Sequence, residues 1–302
     1  MPFGIILKGI GGFYYVECGH EIYECKARGI FRKDEFAPLP GDNVEFAIID
    51  SSKNTGNIEK ISQRSVQLVR PAVANINQLL AVFAARNPEP DLMLLDKLLI
   101  TAEKKGISVI ICINKIDLAE DEERERLARP YLNAGYKVIM SSSKTGEGYS
   151  ELKPALQGKI TVLAGQSGVG KSTMLNNIMN MFVMETGDLS AKSERGKHTT
   201  RHAELVMLKN GGYIVDTPGF SSFELEEIKY DELGSCYPDF GMSDENCRFT
   251  GCSHTCEPGC VVRASVEAGR IGKDRYNRYV ELYNLLKLND SFKYKKNNRK
   301  GK

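Results

Sequence analysis

Ile160-Thr161-Val162-Leu163-Ala164-Gly165-Gln166-Ser167-Gly168-Val169-Gly170-Lys171-Ser172-Thr173 is the stretch on which the fold turns. Its apolar start reads as a buried strand, and the glycine-rich segment after it fits G-x-x-x-x-G-K-[ST] without a departure. A helix-forming run to Asn180 follows. In a strand–glycine loop–helix unit, backbone N–H groups turn inward on phosphate oxygens and the helix N-terminus adds a favourable dipole. Gly165, Gln166, Ser167, Gly168, Val169 and Gly170 therefore cradle phosphates, Lys171 reaches the β- and γ-phosphates, and Ser172 ligates Mg²⁺, with Thr173 beside it in the first helical turn.

Working outward, strands alternate with helices on both sides of this loop. Leu79–Phe83, Ser108–Ile113, Lys137–Met140 and Tyr213–Val215 read as buried strands, and Asp91–Lys105 and Asp121–Ala134 as helices, the first closed by Gly106. That alternation implies a parallel α/β sheet. Upstream, Gly4–Lys8, Phe13–Glu17, Glu21–Lys26, Val44–Ile49 and Asn57–Ile61 are short strands between glycine turns, which suits a small barrel such as an OB-fold; an SH3-like barrel reads much the same.

Two further motifs choose the nucleotide. Asn114-Lys115-Ile116-Asp117 stands at the end of a buried strand, where α/β folds bind ligands. An Asp there accepts two hydrogen bonds from the N–H groups of a guanine edge, whereas adenine would leave the carboxylate unpaired. Asn114 would hold the loop and Lys115 cover the ring, with Ser142 and Ser143 in a second base-contacting loop after the next strand. Asp216-Thr217-Pro218-Gly219 also follows a strand, so Asp216 would hold Mg²⁺ through water and the Gly219 N–H would meet the γ-phosphate. GTP is the expected substrate, and a small-molecule phosphotransferase fits the guanine motif poorly. The order is unusual: the guanine motif precedes the phosphate loop, as in a circular permutation.

Hydrolysis needs a positioned water. Where Ras-like enzymes place a water-orienting Gln, this chain has Phe220, whose ring makes no such hydrogen bond. The polar segment Glu185 to His202 reads as a switch loop, in which Thr199 or Thr200 would ligate Mg²⁺ and His198 would position the water.

Cys247-x₄-Cys252-x-His254-x₅-Cys260 offers three thiolates and an imidazole, the donors of a closed, structural Zn²⁺ site, and Cys256 in the same loop could substitute for a neighbour. Cys18, Cys25, Cys112 and Cys236 are scattered, and in a reducing cytosol the clustering of the other four favours metal over disulfides.

These features together resemble one family. The permuted order, Asp216-Thr217-Pro218-Gly219-Phe220, Arg195-Gly196-Lys197-His198-Thr199-Thr200, the cysteine cluster and Pro38-Leu39-Pro40-Gly41-Asp42 all resemble the ribosome small-subunit-dependent GTPase A family, over roughly residues 4 to 290. The resemblance implies an N-terminal OB-fold, a circularly permuted GTPase domain, a zinc-bearing C-terminal domain, and GTP hydrolysis late in bacterial small-subunit assembly, stimulated by the subunit. It also implies that Cys247, Cys252, His254 and Cys260 are the ligands, with Cys256 the spare, and points to His198 as the water-positioning group.

Composition is consistent with this. The chain has 302 residues, 41% apolar and 26% charged, which excludes wholesale disorder and fibrous repeats. No apolar run reaches the ~18 residues of a membrane span and the N-terminus makes a poor signal peptide, so a cytoplasmic monomer without a membrane partner is expected. The net charge of +2 conceals an uneven spread: Val266 to Lys302 carries eleven basic and four acidic residues, a surplus of +7, so the remainder carries −5. A basic end suggests a polyanion such as rRNA. The expected organisation is a barrel over 1–66, a permuted GTPase domain over 67–222, a zinc-binding helical domain over 223–290 and a basic flexible tail over 291–302.

Overall fold

A computed structural model describes residues 1–19, 21–27, 37–69, 71–182, 203–209, 211–216, 228–242 and 246–300, without the side chains of 182 and 292–300. His198, Thr199, Thr200 and Gly219 lie outside the described residues. The chain gathers into two compact units, one of 1–80, 149–164 and 171–220, the other of 81–148, 165–170 and 221–302.

The first unit opens with β1 (Phe3–Ile10), β2 (Phe13–Cys18), β3 (Glu21–Ala27), β4 (Asn43–Asp50) and β5 (Thr55–Ile61), closed into a barrel of order β1-β2-β3-β5-β4. All five expected strands are present, and the barrel is closed. Alternation puts Ile6, Val16, Tyr23, Cys25, Val44, Phe46 and Ile58 inside. The turn before β4 is fixed by a buried ion pair: Arg64 donates from Nε and Nη2 to the two Asp42 oxygens, each at 2.7 Å, and Asp42 Oδ2 also accepts from Leu39 N. That gives Pro38-Leu39-Pro40-Gly41-Asp42 a structural meaning.

A short pair, β6 (Gln67–Leu68) and β7 (Val73–Ala74), leads to β8 (Gln78–Ala84), whose seven residues are all buried. The strand has residues in both units. In the second unit, β8 is followed by α1 (Leu92–Lys105), β9 (Ser108–Asn114), α2 (Asp121–Asn133) and β10 (Lys137–Met140), with strand order β10-β9-β8 and β9 parallel to β10. Asp91 caps α1 by accepting from Leu94 N at 2.8 Å, and Gly106 closes it in the left-handed conformation at φ 64°. In the first unit come α3 (Tyr149–Ala155), β11 (Ile160–Ala164), α4 (Lys171–Phe182), β12 (Glu204–Met207) and β13 (Tyr213–Asp216), in strand order β8-β11-β13-β12. β11 and β13 are parallel, while β12 runs antiparallel to β13. β12 and α3 were not anticipated; both are short.

The C-terminal part of the second unit differs from expectation in the length of its last helix. Short 3₁₀ turns at Leu233–Cys236 and Pro238–Gly241 precede α5 (Val261–Glu267) and α6 (Lys273–Lys300). α6 runs on to Lys300, into the segment expected as a flexible tail over 291–302, because no Gly or Pro interrupts it before Gly301. The region around the cysteines also has its own core, with Leu233, Tyr237, Phe240, Val262, Tyr279, Leu282 and Tyr283 all buried. The Phe240 and Tyr279 rings meet edge to face at 4.7 Å, and Phe240 reaches the His254 ring at 5.5 Å. Among the described residues no helix is long and apolar enough to cross a membrane.

Candidate nucleotide site and metal centre

The end of β9 organises the nucleotide motifs. Asn114 is fully buried, and its side-chain amide is bonded at both ends. Its Nδ2 donates to the Val169 carbonyl of the phosphate loop at 2.8 Å, and its Oδ1 accepts from Ser143 N at 3.0 Å, Ser143 Oγ at 3.2 Å and Ser141 Oγ at 3.3 Å. One amide therefore joins the phosphate loop to the serine loop. Lys115 follows in the left-handed conformation, φ 59°, and its Nζ donates to Gly168 O at 2.8 Å and to Asn87 O. Asp117 is exposed, with Oδ1 accepting from the buried Ser142 hydroxyl at 2.6 Å, which orients the carboxylate for a ligand edge.

The phosphate loop depends on two glycines in particular. Gly165 has φ 146°, and a Cβ there would stand 1.9 Å from the Val82 carbonyl oxygen. Gly170 has φ 97°, and its Cβ would stand 2.5 Å from Asn114 Nδ2. A side chain at either position meets both a conformational and a steric barrier. Gln166 Oε1 accepts from Asp91 N at 3.3 Å, and Val169 is buried. α4 starts at Lys171, and its first turn has no acidic residue to oppose an anion. Burial pushes the half-buried Lys171 ammonium below its usual pKa, a cost that a phosphate beside it would relieve. Ser172 and Thr173 are exposed in that turn, and Asp216 ends β13 half-buried.

The cysteine cluster forms as expected. One donor atom from each of Cys247, Cys252, His254 and Cys260 lies within 4.8 Å of the others. Cys247 Sγ and Cys260 Sγ stand 3.6 and 3.5 Å from His254 Nδ1, and 4.0 Å from each other. A tetrahedral Zn²⁺ with sulfur at about 2.3 Å and nitrogen at about 2.0 Å requires edges of roughly 3.5–3.8 Å, so the donor set fits that ion. Burial lowers the His254 pKa, which keeps the imidazole neutral and available as a ligand. Tyr276 and Tyr279 hydroxyls pin the loop by donating to the His254 and Ser253 carbonyls at 2.8 and 2.6 Å. Cys256 is exposed and outside the cluster.

The sequence matches the family described as RsgA GTPase over residues 61–226 and the RsgA N-terminal domain over residues 3–58. The chain belongs to the RsgA GTPase family. It is 57% identical over 298 residues to the small ribosomal subunit biogenesis GTPase RsgA of Ruminiclostridium cellulolyticum, covering 98% of this chain and 97% of that one. The RsgA of Alkaliphilus metalliredigens is 46% identical over 96% of this chain and 99% of its own. Among solved structures, YjeQ from Thermotoga maritima superposes with a TM-score of 0.79 at 35% identity, over 94% of this chain and 98% of that chain. YloQ, described as a circularly permuted GTPase, gives 0.80 at 39% identity over 95% of each. As an RsgA GTPase the protein hydrolyses GTP, with the guanine motif upstream of the phosphate loop. Sequence reading did not single out Asn87 O and Asp91 N, which meet Lys115 Nζ and Gln166 Oε1 through backbone atoms and so leave no side-chain signal.

Proposed function

We propose that the protein is a GTP-driven factor in small-subunit biogenesis, as the names of its relatives indicate, that it acts late in assembly, and that the subunit stimulates its hydrolysis. The observation that carries the guanine assignment is Asn114, which ties Val169 to Ser143 and so links base-reading and phosphate-binding loops through one buried side chain. In this reading the Asp117 carboxylate accepts the N–H groups of guanine, and Ser142 holds it in position. Lys171 and the N–H groups of 165–173 neutralise the triphosphate. Ser172, Asp216 and one of Thr199 and Thr200 offer the hard oxygen donors that suit Mg²⁺, which would neutralise charge on the β- and γ-phosphates. His198 orients the attacking water and the Gly219 N–H meets the γ-phosphate. Cys247, Cys252, His254 and Cys260 hold a structural Zn²⁺; four protein donors leave no open position for chemistry.

The barrel, the permuted GTPase domain and the zinc-bearing helical end would meet rRNA, and the protein would act as a cytoplasmic monomer. The testing experiment is turnover of GTP and of ATP, each with and without purified small subunits. GTP turnover rising by about 10³-fold or more with subunits is expected. Equal turnover of ATP, or no stimulation, overturns the reading.

A further inference from the structure

Between β8 and α1 the chain runs Ala85-Arg86-Asn87-Pro88-Glu89-Pro90-Asp91, and three of these residues touch the nucleotide motifs. Ala85 N donates to Asn114 O at 2.8 Å. Asn87 O accepts from Lys115 Nζ, the same ammonium that donates to Gly168 O. Asp91 N donates to Gln166 Oε1, and the Asp91 side chain caps α1. The first two contacts reach the guanine motif and the last the phosphate loop.

We propose that Ala85–Asp91 is a positioning strap for the nucleotide, with Asn87 as its affinity-setting residue. The inference rests on the reading of this site as the GTP site. Lys115 is a flexible side chain with three rotatable donors. Two carbonyls from separate segments, Gly168 and Asn87, restrict it to one placement, and the strap thereby fixes the spacing between the base-reading and phosphate-binding loops. Asn87 presents its carbonyl from the left-handed region, φ 49°, which Asn tolerates far better than a β-branched residue. The strap touches residues that would meet base and phosphates before and during the reaction alike, so disturbing it weakens binding uniformly and leaves the chemical step largely intact.

The test compares Asn87→Val and Asn87→Gly in the full-length, zinc-loaded protein, using a fluorescent GDP and a non-hydrolysable GTP analogue. Asn87→Val should raise both dissociation constants about tenfold, from the left-handed conformation a β-branched residue resists, while kcat at saturating GTP falls far less. Asn87→Gly, which adopts that conformation freely, should restore affinity to within about threefold of wild type. In a Lys115→Met background the Asn87→Val effect should vanish, since the shared contact is already gone. A Val variant that binds like wild type, a Gly variant as weak as the Val variant, or a Val effect undiminished beside Lys115→Met each overturns the strap. Should the Val variant not fold, hydrogen exchange on the wild-type protein decides: GDP should slow exchange of the Ala85 and Asp91 amides. Unchanged exchange there, with protection at 165–173, overturns the proposal. Wild-type protein that bound no guanine nucleotide would overturn the site reading itself, a failure distinct from an indifferent Asn87→Val.

Discussion

Arg275 on α6 and Asp96 on α1 meet at 2.5 Å with 1% and 0% of their side chains exposed, across 179 positions of sequence. Arg275 also pairs with Asp239 at 3.2 Å, and Arg278 donates to the second Asp96 oxygen. The guanidinium lies over Tyr237, 4.6 Å from the ring centroid. Burial pushes the Asp96 carboxyl up against the opposing pull of both arginines. Burial alone would lower Arg275, but Asp96 and Asp239 more than offset it and keep it charged. Two cations face two anions, so the cluster is balanced. It also revises the charge argument: two of the basic residues counted toward an rRNA-facing end are committed to internal pairs.

Removing one partner leaves a charge buried without compensation. Arg275→Met should destabilise the protein by about 3–5 kcal/mol. A thermal melt checks this, and a drop of roughly 10 °C is expected for a unit of this size. Arg278→Met, at a position 14% exposed, should cost less, since water can reach the site it vacates. Equal melting points for wild type and Arg275→Met would show that the cluster does not hold α1 and α6 together.

The guanine motif makes its own prediction. Asp117→Asn replaces one acceptor oxygen by a donor and should weaken GTP binding by about 10³-fold or more, while improving binding of a xanthine nucleotide, which presents a carbonyl where guanine has an amino group. Ser142→Ala removes only the hydroxyl that orients Asp117, and should weaken GTP about tenfold, the worth of one charge-assisted hydrogen bond. Competition binding with GTP, XTP and ATP distinguishes the two. A Ser142→Ala loss as large as that of Asp117→Asn would mean that Ser142 contacts the base itself.

The legibility of these features follows how local each one is. Barrel strands such as Val44 to Ile48 were readable because alternation is a property of neighbouring residues. Gly165 to Ser172 was readable because the phosphate loop needs glycine at fixed offsets. β12 escaped because Glu204–Met207 is too short for its alternation to stand out. The continuation of α6 past residue 290 is hard to read because a polar run looks disordered, although Lys, Arg and Asn continue a helix well enough without Gly or Pro. The Arg275 cluster was invisible in principle: charges on amphipathic helices normally face water, and only tertiary packing of α1 against α6 tells otherwise. The Asn87 carbonyl has no side-chain signature at all.

Gly170→Ala tests the junction between the phosphate loop and Asn114. The new methyl group would stand 2.5 Å from Asn114 Nδ2, at a φ of 97° that alanine rarely adopts. Displacing Asn114 breaks its bond to Val169 and disturbs Ser143 with it. GDP affinity should fall by about 10²-fold, consistent with some 2–3 kcal/mol of backbone strain and lost hydrogen bonding. The apoprotein's melting point should fall much less than affinity. Calorimetric titration of GDP into the variant checks the first expectation, and affinity within a few-fold of wild type would place the loop's rigidity elsewhere.

Thiol reactivity tests the metal centre and separates its ligands from the remaining cysteines. Burial pushes Cys25 up to about 11 and Cys112 up to about 12, above the ordinary thiol value. A raised pKa means less thiolate at a given pH, and both thiols are fully buried, so neither should be alkylated appreciably at pH 8 in the folded protein. Exposed Cys256 should be alkylated promptly at pH 8 whether or not metal is present. Cys247, Cys252 and Cys260 should resist alkylation in the metal-loaded protein and become reactive together when a chelator strips the ion. Mass spectrometry of iodoacetamide-treated protein reads all of these sites at once. Protection of Cys256 in step with the other three would make it a ligand, and unchanged reactivity of Cys247, Cys252 and Cys260 on chelation would mean that the four-donor cluster holds no metal.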